Sequence, residues 1–208
     1  MPHGRFSRAR WAALCTRLGC QAAADKFDTL ASAYSEPARA YHTAQHIDEC
    51  LALLDSVADQ LQSPDDVELA IWLHDVVYNP QAKDNEAQSA QLAEQWFASL
   101  AAQRLGLLSQ RIVATQGHAP LLGDSDGQAL LDIDLAILAA TPARFAQYSA
   151  QVRHEYSFVE PAVYAVKRAE FLQHMAQRPQ LYFHSALAAR LEPSARRNLH
   201  KAHEMPAP

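Results

Sequence analysis

The sequence predicts an all-α fold, and three observations carry that expectation. Glycine is scarce, with 6 residues in 208, while 49% of the chain is hydrophobic and alanine, the strongest helix former, is abundant. Apolar residues recur at steps of three and four along most of the chain. Proline stands where a helix starts, behind a residue able to cap it, in Ser63-Pro64 and Thr141-Pro142. No segment alternates in the manner of a strand.

Taken in order, Ile47, Cys50, Leu51, Leu54, Val57 and Leu61 form one face of a long helix. The helix starting at Pro64 carries Leu69, Ile71, Trp72, Leu73, Val76 and Val77, apolar all round, so it should be central and buried. Asn79-Pro80 should break it. A helix from about Asp84 to Gln103 should stop near Gly106, and a shorter one should run from Ser109 to Gln116. The stretch from Gly117 to Gly127, with Pro120 and Gly123, reads as a loop. Leu130 to Ala139 reads as an apolar helix, and Thr141-Pro142 opens another. Helical patterns continue through Val163–Gln177 and from Pro193 onward. Without a repeat or a long linker, 1–208 reads as a single domain, with a motif-bearing core at about 39–160 and C-terminal helices packed on it.

A net charge of −5 argues against general nucleic-acid binding, which needs a basic face. The local basic cluster of Arg190, Arg196, Arg197 and Lys201 reads as a solvated helix face. Cys15, Cys20 and Cys50 are odd in number and lack CxxC spacing, so neither a disulfide framework nor a thiolate zinc site is expected. Arg5, Arg8 and Arg10 precede a short apolar stretch, but Thr16 and Arg17 interrupt it too soon for a signal peptide. No run approaches the roughly 18 apolar residues of a membrane span. The expectation is a cytoplasmic protein, with no membrane and no nucleic-acid partner. Its Ala- and Leu-rich helix faces leave room for a homodimer.

The chemistry-bearing residues stand out by being in the wrong place. His74-Asp75 ends the most apolar helix, in AIWLHDVVY. A histidine there could be an ordinary core residue, but an ionised carboxylate is rarely buried without a cation or several donors, because desolvation costs several kcal/mol. Asp134 lies on the apolar stripe of Leu130 and Leu138. Asp132, two residues earlier, reads as a helix-start cap or solvent contact. His42 and His46 are four apart in AYHTAQHIDECLALL. His42 falls at or before the helix start, so His46 is the favoured ligand and His42 a supporting or substrate-facing group; spacing alone leaves the reverse open. Two imidazoles and two carboxylates suit a divalent ion such as Mn, Mg, Fe, Co, Ni or Zn rather than copper or an iron–sulfur cluster.

The order His, then His-Asp, then a distant Asp resembles the HD-domain superfamily. More narrowly, YHTAQHI, AIWLHDVVYNP with KDNEAQSA, LLDIDLAIL, VRHEYSFV and the late ARRNL resemble the family of predicted metal-dependent HD phosphohydrolases, from about Trp11 to Leu199. The resemblance implies a compact HD-type helical bundle and a divalent metal on His46, His74, Asp75 and Asp134. It also implies hydrolysis of a small phosphorylated molecule through a metal-activated water, nucleotides being among the candidates. Related enzymes acting on guanosine polyphosphates carry an acidic pair after the HD dipeptide. Here Tyr78 and Asn79 follow HDVV, which argues against that substrate. Besides Asp75, the expected catalytic residue is Glu86, for water positioning or acid–base work; a helix-start acid facing the dipole is its plain alternative. Lys83, Arg39 and Arg153 are candidate phosphate donors, with surface salt bridges as their default. His118 should border the site, holding phosphate or a second metal, though one metal is the simpler expectation. Tyr41, Tyr78, Tyr148, Tyr156 and Tyr164 could stack on a base or serve as core and rim. The missing acidic pair also motivates a second reading, a nucleotide-binding or sensor domain that keeps its metal without turnover. An HD oxygenase with a di-iron centre would need more His or Asp ligands than His118 adds.

Overall fold

The computed structural model describes residues 4–119 and 121–204; the first three residues, Pro120 and the last four lie outside the described residues. Among these residues there is helix and no strand. The helices are α1 (Arg8–Arg17), α2 (Phe27–Ala33), α3 (Ala44–Asp55), α4 (Pro64–Leu73), α5 (Asn85–Trp96), α6 (Ala102–Ala114), α7 (Ser125–Asp134), α8 (Pro142–Glu155), α9 (Pro161–Gln177) and α10 (Ser185–Glu204). A 3-10 segment, Leu135–Ala139, continues α7.

As its all-round apolarity requires, α4 is the central element. Every residue from Val67 to Leu73 is buried, Glu68 included, and α4 packs against α1, α3, α5, α6 and α7. Trp11, Phe97 and Phe6 gather on Trp72 or on one another at centroid distances of 4.9–5.8 Å. Glu68 is tolerated there because Arg10 and Arg17 each bond one of its oxygens, at 2.7 and 2.9 Å. A second, smaller core joins the 3-10 segment to α8, α9 and α10 through Leu138, Tyr148, Leu172, Met175, Tyr182 and Leu199.

Several element ends differ from the sequence expectation, each for a tertiary reason. The helix of Ile47 stops at Asp55, although Val57 stays buried. Ser63 occupies the N-cap of α4 without a side-chain cap bond. Instead Asp126 of α7 accepts from the Gln62 and Ser63 amides at 2.9 and 2.7 Å. Helix α4 ends at Leu73, four residues before Val77: the Val76 amide turns back to the Leu73 carbonyl, the Val77 amide donates to the Ser89 hydroxyl, and Arg39 bonds the carbonyls of Asp75 and Val76. Gly106 interrupts nothing. It sits inside α6, where Leu105, Leu108 and Ile112 pack on the core and outweigh a glycine cost of about 1 kcal/mol. The loop expected to run to Gly127 ends sooner; Gly127 lies in the first turn of α7, where the Asp124 carboxylate caps its amide and leaves no room for a side chain. The last helix starts at Ser185 and carries Pro193 internally. Thr141-Pro142 starts α8 as read, with the hydroxyl accepting from Arg144 N.

Candidate metal centre

Three helix ends bring the four expected ligands together. His46 comes from the first turn of α3, His74 and Asp75 from the residues just past α4, and Asp134 from the last residue of α7. The two Nε2 atoms are 3.3 Å apart. Asp75 Oδ2 lies 3.2 Å from His74 Nε2 and 3.6 Å from His46 Nε2. Asp134 Oδ1 lies 3.1 and 3.4 Å from His46 and His74. Each carboxylate oxygen thus closes a triangle on the same pair of nitrogens. Ligands held about 2.1 Å from one ion stand ~3.0 Å apart at right angles and ~3.4 Å apart in a tetrahedron, so the spacing fits a cation.

Protonation points the same way. His74 Nδ1 faces the Ile71 carbonyl at 3.0 Å, which assigns the proton to Nδ1 and aims the Nε2 lone pair at the centre. Burial disfavours charge on His74, but Asp75 and Asp134 outweigh it and hold the imidazole well above its ordinary range. Burial likewise opposes ionisation of Asp75, yet the charges of His74 and His42 and the His74 hydrogen bond hold its carboxyl well below the usual range. Two carboxylates with only 14% of each side chain exposed demand a positive charge, and in the bare protein a proton on His74 supplies it. Cys50 Sγ is 3.7 and 3.8 Å from the two nitrogens of His46. Cys50 Sγ, His46 and Asp134 also bring one ligand atom each within 4.8 Å of one another, so Cys50 borders the same centre.

Around the four sits a layer of supporting groups. His42 precedes α3 and stays outside the ligand cluster; its Nδ1 is 2.7 Å from Glu155 Oε2, and its ring stacks on Tyr78 at 4.2 Å. Burial lowers the pKa of His42, but Asp75, Glu155 and Asp134 together raise it above the ordinary value. Glu155 was missed in the sequence, although VRHEYSFV contains it. It is buried at the end of α8 and accepts from the amides of Ala40, Tyr41 and His42 at 2.8, 2.8 and 3.0 Å and from the Tyr78 hydroxyl at 2.9 Å. One signal was available: an acid in the last turn of a helix opposes the dipole, so it needs another reason to be there. His118, with φ of 46°, puts Nε2 2.8 Å from Asp134 Oδ2, the oxygen turned away from the cluster. Its carbonyl and that of Gly117 are held by Arg178.

The other expected residues are placed differently. Arg39 is not at the surface. Its guanidinium bonds Glu36 and the carbonyls of His42, Asp75 and Val76, so four of its five N–H donors hold the chain on either side of the site. Arg153 likewise donates to the carbonyls of Tyr156 and Val159. Lys83 is exposed beside α5. Glu86, in the first turn of α5, makes no bond to the cluster, and its charge is felt at Tyr156. Asp132 is neither cap nor solvent contact: it is buried and accepts from the Phe183 and His184 amides, joining α7 to the start of α10. Burial pushes its pKa up to about 7. A cavity of about 190 Å³ opens beside His46 and Asp134, floored by Cys50 and Ile137 and edged by Tyr41, Glu49 and Arg144.

Set against known proteins, the chain matches no family model, no curated protein and no solved structure. No helix among the described residues is long and apolar enough to cross a membrane.

Proposed function

We propose that this protein is a metal-dependent phosphohydrolase of the HD type, acting on a small phosphorylated molecule. The convergence of His46, His74, Asp75 and Asp134 on one point, with a proton-carrying dyad alongside, is the observation that supports it most. His46, His74, Asp75 and Asp134 would hold a divalent ion, which would supply a water of lowered pKa and polarise a phosphoryl oxygen. The chain's own residues do the rest. Arg39 fixes the backbone on either side of Asp75, and His118 fixes Asp134. Glu155 fixes Nδ1 of His42 as the protonated nitrogen and stabilises the imidazolium. His42 then holds a proton on Nε2 for the departing oxygen, a role that needs a pKa raised toward neutrality and that the neighbouring carboxylates support. The adjoining cavity has room for the part of the substrate that does not react. With Glu86 making no bond to the cluster, His42 is the better acid–base candidate.

The test is elemental analysis and a phosphoester screen on wild type beside Asp75→Ala, purified without chelator and assayed with added Mn, Mg, Ni and Co. One ion per chain, lost together with hydrolysis in the variant, is the expected result. Metal bound at the same stoichiometry with no turnover of any ester would replace this reading by a metal-retaining binding domain.

A further inference from the structure

Two sets of donors meet at His46. One is His46, His74 and Asp75; the other is His46, Cys50 and Asp134, with one ligand atom from each within 4.8 Å of the others. The second set begins on a single helix, because His46 and Cys50 are four residues apart on α3 and share a face. Cys50 Sγ is 3.8 Å from His46 Nε2, and Asp134 Oδ1 is 3.1 Å from the same nitrogen. An ion bound at about 2.0 Å by nitrogen and about 2.3 Å by sulfur holds those two atoms about 3.6 Å apart in a tetrahedron, close to the separation found. The thiol has no strong commitment elsewhere, since its contact with the Ile133 carbonyl is 3.9 Å long. Glu49, by contrast, is held through both oxygens by Arg144 and stays out of the set.

The cavity of about 190 Å³ adjoins this second set. It is lined by His46, Cys50 and Asp134 and not by His74 or Asp75, so it opens on the sulfur-bearing side and has room for a water as fourth ligand. Thiolate donors select thiophilic ions such as zinc, whereas carboxylates and water suit Mg and Mn. We propose that Cys50 is a ligand for zinc, held by His46, Cys50 and Asp134, and that this set competes with the four-residue centre for harder ions. His46 and Asp134 belong to both, so filling one set empties the other. The thiol gives its proton to water as the sulfur–zinc bond forms. The sulfur-bearing set rests on donor geometry alone; its consequence, a hydrolase supported by Mn or Mg and inhibited by zinc, rests on the hydrolase reading.

The experiment uses cadmium as the zinc-like probe, because its bond to thiolate gives a sulfur-to-metal charge-transfer band in the ultraviolet. Cadmium is titrated into the full chain with one equivalent of Mn present, and released Mn is followed by its paramagnetic resonance signal. The band should saturate at one cadmium per chain while Mn is released in step. In Cys50→Ser the band should vanish and cadmium affinity should fall by more than about a hundredfold, beyond the roughly 10–100-fold that losing a group which merely supports a ligand costs. Cys15→Ser and Cys20→Ser should each keep the band, which assigns it to Cys50 even where Cys50→Ser fails to fold. Absence of the band at one cadmium per chain, a band that survives Cys50→Ser, or Mn that stays bound while the band saturates would overturn the assignment. Asp75→Ala, outside the sulfur-bearing set, should keep the band. A wild-type chain that shows the band yet binds no Mn and hydrolyses no ester would retain the zinc set and lose the hydrolase reading.

Discussion

Replacing Glu155 by glutamine should destabilise the protein by about 3 kcal/mol at neutral pH, and the loss should disappear in acid. The carboxylate gathers three backbone amides, an imidazole and a phenol at 2.7–3.0 Å. Burial alone would raise its pKa, but the hydrogen bond and charge of His42 and the amides of Tyr41 and His42 hold it at about 2, against an ordinary value of 4.5. At about 1.4 kcal/mol per pH unit, that difference is worth about 3 kcal/mol. A carboxyl with a depressed folded-state pKa stabilises only when ionised. Its contribution is complete above about pH 4.5 and is lost as pH falls toward 2. Glutamine keeps the shape and can still accept from the amides, yet it has no charge to lose. Urea unfolding with chelator present, so that bound metal adds nothing, should therefore show wild type ahead by about 3 kcal/mol at pH 7, or roughly 6–12 °C in Tm for a chain of this size. The two curves should converge by about pH 2 to 3. A gap that stays constant from neutral pH to acid, or one smaller than about 0.5 kcal/mol at pH 7, would refute the account of Glu155 as an ionised clasp.

Two further outcomes follow from the same groups. Because a cation must displace the proton that Asp75 and Asp134 hold on His74, metal affinity should fall about tenfold per pH unit on the acid side of that titration; competition against a chromogenic chelator at several pH values measures it, and a flat profile would count against the ligand role of His74. Arg39→Ala leaves the carbonyls of Asp75 and Val76 without their buried donors, so a loss of about 2–4 kcal/mol in urea unfolding is expected, together with weaker metal binding in the chelator assay.

What could be read from the chain and what could not divide along physical lines. His74, Asp75 and Asp134 were legible because each places a charged or metal-ligating group in an apolar stretch, a local conflict that a sequence displays, while His46 stood one step from such a face and was favoured over His42 by its place inside the helix. The capping at Thr141-Pro142 was legible for the same reason, being an affair of adjacent residues. Glu155, Arg39 and Asp132 were not, or were misplaced. Their partners stand 115, 36 and 51 positions away; VRHEYS offers only the hint of an acid in a helix's last turn, and nothing in ARAYH distinguishes a residue reaching across the molecule from one facing water. The end of α4 failed similarly. Val76 and Val77 continue an apolar pattern, and it is the Ser89 hydroxyl, twelve residues on in α5, that draws the Val77 amide out of the helix. Gly106 misled because packing of α6 on α5 overrides a weak intrinsic preference.

The long reach of these clasps also bears on the order in which the molecule is made. A ribosome that has released residues 1–134 has delivered all four candidate ligands, but not the carboxylate that organises 40–42, nor the Phe183 and His184 amides that anchor Asp132, nor Asn198, which holds the carbonyls of Leu138 and Ala140 from α10. The centre is complete only when the last third of the chain has folded back, so a nascent chain has its ligands long before it has a site.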